Sequence, residues 1–226
     1  MASLKSFLQG VAPILGVSLA TLYERQRALV RLGVLPPSTG AGPGSGVPFT
    51  AKNFAAILIS ILASDSLSDV DQSMVALFKA KPETTFDDWS WGRSEKRSDG
   101  TSFWSELTPR GKPTFLRDVA LVLSGYTAKV PWEEEHEEAY EPVWNIGDIT
   151  GVRVSRVWRG QIVGEAGGED VSLFSASYLS SKNRPARAIS ITAEIEGDML
   201  DRLISFTKDA LSHPEGLGQA EEKDDE

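Results

Sequence analysis

Apolar residues at the start of the chain recur at helical spacing. Leu4, Phe7, Leu8, Val11 and Leu15 fall three and four apart, with Pro13 interrupting them. The pattern predicts a first helix, a break at Pro13, and a short second helix closing at Gly16. Ser18 is placed to cap the next helix, where Leu22, Leu29, Val30 and Leu32 form an apolar stripe with Tyr23 beside it. Glu24, Arg25, Arg27 and Arg31 are expected largely off that stripe, and Gly33 with Pro36-Pro37 ends the run. The stretch STGAGPGSGVP, from Ser38 to Pro48, cannot be helical. Its four glycines fit a hairpin tip better than a linker, because the loop is short and lies between two strong helices.

Thr50 is a cap for AKNFAAILISILAS, which from Phe54 to Ala63 is apolar nearly all round, with Ser60 the one polar residue. A helix of that composition is expected to be buried on every side. Ser68 and Asp71 resemble a capping arrangement that opens DVDQSMVALFKAK, with Lys79 and Lys81 at its C-terminal end and Pro82 beyond. Residues 83–111 have little periodicity. Their Trp89, Trp91 and Trp104 flank Arg93, Lys96 and Arg97, and the stretch reads as a surface loop anchored by tryptophans rather than a stacking platform for single strands. KPTFLRDVALVLSGY predicts a further helix, with Phe115, Val119, Leu121 and Val122 apolar and Gly125 at its end.

Past residue 143 the period falls to two. Ile149, Val152, Val154, Val157, Ile162 and Val163 predict one or two strands with Arg159-Gly160 as a turn. Residues 170–178 and 186–195 alternate as half-buried strands do. Asp198 is expected to cap a last helix whose Met199, Leu200, Leu203, Ile204 and Phe206 cover the sheet.

Charge adds an asymmetry. The 226-residue chain has a formal charge of −9, which argues against a protein that coats nucleic acid indiscriminately. Residues 1–52 nevertheless hold Lys5, Arg25, Arg27, Arg31 and Lys52 against Glu24 alone, a local +4 that leaves −13 to the remainder. A small DNA-reading head on an acidic body would show this distribution. Glu133, Glu134, Glu135, Glu137, Glu138 and Glu141 crowd around His136 and predict a solvated linker, not a metal site. Cysteine is absent, which removes disulfides and thiolate chemistry and fits a reducing, cytoplasmic setting. The longest apolar run is too short to span a bilayer, and no membrane partner is expected.

No residue set demands an enzyme. His136 and His213, the two histidines, sit in acidic or tail-like segments, so a Ser-His-Asp arrangement is poorly supported. Arg110-Gly111-Lys112-Pro113-Thr114 lacks the glycine spacing of a phosphate loop, and Asp87-Asp88 and Asp69/Asp71 suit turns and helix starts better than two-metal chemistry. No catalytic residue, metal or cofactor is predicted.

Helix, tight turn, basic helix and Gly-rich hairpin resemble a winged helix-turn-helix over about residues 10–65. The close Leu29-Val30-Arg31-Leu32-Gly33-Val34-Leu35 is similar to that family's approach to its wing, and Thr21-Leu22-Tyr23-Glu24-Arg25 with Gly33-Val34-Leu35-Pro36 loosely resembles the MerR branch, with Gln26 to Leu32 inserted. The expected fold class is α+β: an N-terminal all-helical winged helix-turn-helix head and a small C-terminal antiparallel sheet with a covering helix. The expected division is a head over 1–66, a helical middle over 67–130, an acidic linker over 131–142, a β-β-β-α unit over 143–212 and a disordered acidic tail over 213–226.

The resemblance implies sequence-specific binding of double-stranded DNA by an oligomer, as in transcriptional regulators of temperate phages and prophages. Ser18, Thr21, Arg25, Gln26, Arg27, Arg31, Gly42, Gly44 and Lys52 are the expected DNA contacts. The C-terminal unit would serve oligomerisation or a phage or host protein partner. Two alternatives stand beside this: a small terminase or DNA-packaging adaptor, and a protein-interaction module whose helix-turn-helix does not touch DNA.

Overall fold

A computed structural model of the chain describes residues 3–38, 46–67, 70, 72–82, 114–125, 149–155, 159–166, 172–179 and 192–213. Two helices open it: α1 (Leu4–Leu15) and α2 (Leu19–Arg31). They are followed by α3 (Ala51–Ala63), α4 (Gln72–Phe78), the two-residue strand β1 (Lys81–Pro82) and α5 (Phe115–Leu123). Then come β2 (Ile149–Ser155), β3 (Arg159–Ala166), β4 (Ser172–Leu179), β5 (Thr192–Glu196) and α6 (Gly197–Ser212). The class is α+β. The strands form one antiparallel sheet in the order β1-β4-β3-β2-β5.

The turn between α1 and α2 is built from local chemistry. Gly16 adopts φ 62°, and the amides of Gly16 and Val17 donate back to the carbonyls of Pro13 and Ala12. That pairing closes a helix only when one residue takes the left-handed conformation, which glycine does without strain. Ser18 follows at once as the N-cap of α2, its Oγ accepting from the Thr21 amide at 3.1 Å. Gly33, at φ 69°, ends α2 in the same way, with Val34 donating to the Leu29 carbonyl.

α3 is the element the others pack around. Ten of its residues, Asn53 to Ser60 with Leu62 and Ala63, are buried. It contacts α2, α4, α5, β2 and β5, and α1 packs on α6. The Phe7 ring stacks on Phe49 at 4.1 Å, meets Phe54 edge-on at 4.8 Å and lies 5.1 Å from Phe206 of α6. Each such aromatic pair contributes about 0.5–1.5 kcal/mol beyond area burial. On the sheet side, Val152, Val154, Ile162 and Ile195 are buried in the same core. Buried residues of α1, α2 and α3 and those of β2, β3 and β5 belong to one hydrophobic cluster.

Several local expectations are corrected. α1 runs through Pro13 without a break, because a proline in the last turn of a helix removes only one bond before the helix ends. Lys81 belongs to β1 and not to α4, and Arg159 and Gly160 lie inside β3 and make no turn. α6 begins at Gly197 with Glu196 in the cap position and no side-chain cap bond, so Asp198 lies in the first turn, where its charge suits the helix dipole. The tryptophan-bearing stretch 83–111, the acidic run 131–142 and the tail 214–226 lie outside the described residues.

Candidate nucleic-acid interface

The α2 helix has two faces of different chemistry. Leu22, Ala28 and Leu29 are buried against α3 and α1, and Arg25 is buried with them. Leu22, Arg25 and Leu29 stand at i, i+3 and i+7, so the arginine projects on the core side. Its Nη1 and Nη2 donate to the carbonyl oxygens of Ser60 and Ser64, each at 2.5 Å. Those carbonyls belong to the last turn and cap of α3, where backbone acceptors lack intrahelical partners and the helix dipole is negative. Arg25 is 3% exposed and acts as the C-terminal clamp of α3. It was expected among the DNA contacts, and its side chain is turned into the core.

The opposite face carries a stripe at Ala20, Glu24, Arg27 and Arg31, spaced by four, three and four. Arg27 and Arg31 are exposed. The Arg27 Nη1 donates to Glu24 Oε1 at 2.5 Å, and the two side chains are 72% and 46% exposed. Beside the stripe lies a depression of about 480 Å³, lined by Glu24, Gln26, Arg27, Val30 and Arg31 of α2 with Ser38 and Val47. Glu24, Gln26, Arg27 and Arg31 are thus brought together. Val30, Ser38 and Val47 are lining residues that sequence reasoning missed, although Val30 stands one residue from Arg31.

The other expected contacts are placed differently. Ser18 and Thr21 are bonded to each other, Oγ to Oγ1 at 2.8 Å, at the exposed start of α2. Lys52 is exposed in the first turn of α3. Lys5 of α1 sits with its Nζ 5.7 Å from the centre of the Tyr23 ring, and burial pushes the Tyr23 phenol above its ordinary 10.0, with the nearby Gln9 side chain opposing. Gly42 and Gly44 lie outside the described residues. Among the described residues, the chain returning from the glycine loop pairs with the N-terminus: Ser3 bridges Pro48, and the Leu4 amide donates to the Val47 carbonyl at 2.8 Å. The described flanks of the loop form no ladder with each other, so the expected wing hairpin has no strand there.

Among the described residues no three His, Cys, Asp or Glu side chains gather where a metal could sit, and no helix is long and apolar enough to cross a membrane. No family model matches the chain, and neither the curated proteins nor the solved structures contain a match.

Proposed function

We propose that this protein binds double-stranded DNA through the exposed stripe of α2. The observation that carries the reading is the division of labour along that helix. Leu22, Ala28, Leu29 and Arg25 lock it to the core, while Arg27 and Arg31, one turn from each other, point outward on a helix that starts from the short Gly16–Ser18 turn. A helix held so rigidly and capped so early presents its charged face at a constant depth, which groove reading requires. Arg27 and Arg31 would divide between phosphate and guanine edges, and Ser18 and Thr21 lie where a backbone phosphate meets the start of the helix.

With Arg25 withdrawn into the core, the exposed charge is modest. Affinity then calls for more than one copy on the duplex, in keeping with the oligomeric phage-type regulator that the sequence resemblance implies. Native mass spectrometry separates a regulator from a packaging adaptor: a dimer favours the first, a large ring the second. The depression with Val30 and Val47 in its lining favours a second reading, a docking site for a protein partner.

The test is titration of labelled duplex DNA across salt with the native protein and the Arg27→Ala/Arg31→Ala double variant. The variant should bind more weakly, and the slope of log K against log salt should shrink by about one for each arginine that holds a phosphate. Equal affinity and equal slope for the two proteins would overturn the proposal.

A further inference from the structure

A carboxylate on a DNA-facing helix needs a reason, because phosphates repel it. Glu24 is half exposed, sits on the same stripe as Arg27 and Arg31, and is bonded to Arg27 at 2.5 Å. Resting on the DNA-binding reading above, we propose that Glu24 and Arg27 act as one unit that reads a C·G base pair, with Glu24 the residue that sets specificity.

The ion pair and the base pair present their donors and acceptors in complementary order. An ionised carboxylate only accepts, and a guanidinium only donates, through five N–H groups. The bond to Glu24 uses one of Arg27's N–H groups and leaves the rest free to donate. A C·G pair presents the cytosine N4 amine directly beside guanine O6, with N7 next to it, along one major-groove edge. Donor, acceptor, acceptor in the groove meets carboxylate, guanidinium on the helix in matching order, and the Glu24–Arg27 bond can stay intact. An A·T pair sets the adenine N6 donor between two acceptors and places the thymine methyl at the outer edge. With thymine in cytosine's place the carboxylate would face the O4 acceptor and the guanidinium the N6 donor; with adenine there the guanidinium would keep O4 but meet the methyl group where N7 stood.

Glu24 also suppresses binding where no cytosine is present. Its negative charge offsets that of Arg27 near a generic phosphate and is itself repelled by the backbone. Ala20, exposed earlier on the stripe, adds only a methyl group and lets this part of α2 approach the base edges closely.

The experiment selects binding sites from a random duplex library with the native protein and with Glu24→Ala and Glu24→Gln, followed by affinities on the enriched site and on a site lacking it. The native protein should enrich one position as C·G. Both variants should flatten that position, bind the mutated site up to about tenfold more tightly than the native protein does, and lose roughly tenfold in discrimination. An unchanged enriched site in the variants would overturn the inference and leave DNA binding standing. Failure of all three folded proteins to bind any duplex would overturn both, with thermal unfolding confirming that the variants are folded.

Discussion

Replacing Arg25 by alanine separates the inward arginine of α2 from its outward neighbours. The side chain donates through both terminal nitrogens to Ser60 and Ser64 carbonyls at the end of α3, ten of whose residues are buried. Hydrogen bonds to a charged group contribute about 1.5–3 kcal/mol each, and stranding their buried acceptors adds cost. Alanine also leaves a cavity where a 3%-exposed side chain stood. The expected loss is about 3–5 kcal/mol, a large part of the roughly 5–15 kcal/mol that holds a folded domain. At about 2–4 °C per kcal/mol for a chain of this size, the unfolding midpoint should fall by roughly 6–20 °C. Arg25→Lys should recover part of this, since an ammonium can reach only as a point donor where the guanidinium forks between two carbonyls. Circular dichroism through thermal unfolding is the assay, with Arg27→Ala as control, because an exposed pair contributes at most about 1 kcal/mol. An Arg25→Ala midpoint within about 2 °C of the native one would refute the clamp.

Further outcomes follow from other contacts. In Gly160→Ala the new methyl would run into the Phe115 ring, which is fully buried. The variant should lose about 1–3 kcal/mol in urea unfolding, and an unchanged midpoint would show that β3 and α5 are not in such close contact. Because burial raises the Tyr23 phenol above 10.0, its stabilising effect is complete below that pH and is lost as the pH rises through the folded-state value. Tyr23→Phe should remove this decline, and parallel stability curves for the two proteins between pH 8 and about 11.5 would refute it. The Arg27→Ala/Arg31→Ala salt titration and the Glu24→Ala selection described above complete the set.

Much of the secondary structure was legible because its signals are local. Ser18, Thr50 and Thr114 cap helices through the amide three residues on, and each is followed by apolar residues at helical spacing. The uniform apolarity from Phe54 to Ala63 announced a helix covered on all sides, and α3 is that helix. The interface was less legible. Leu22, Arg25 and Leu29 already share one helical face, yet positive charge suggested an outward residue. An arginine turns inward only when acceptors wait for it, and those acceptors, on Ser60 and Ser64, lie 35 and 39 residues away. The same limit applies to the stripe itself: the spacing of Glu24, Arg27 and Arg31 was available, but not which side α3 would cover.

The sequence by itself determined most of the helices and strands, the caps at Ser18 and Thr50, and that positive charge gathers at the N-terminal end. These follow from periodicity, capping and glycine geometry within a few residues. Only the tertiary structure decided that α6 packs on α1 through Phe206, that β1 joins the far edge of the sheet, and that the three α2 arginines divide into one clamp and two exposed cations. Each of those outcomes depends on a contact between residues distant in the chain, and no local pattern encodes the partner.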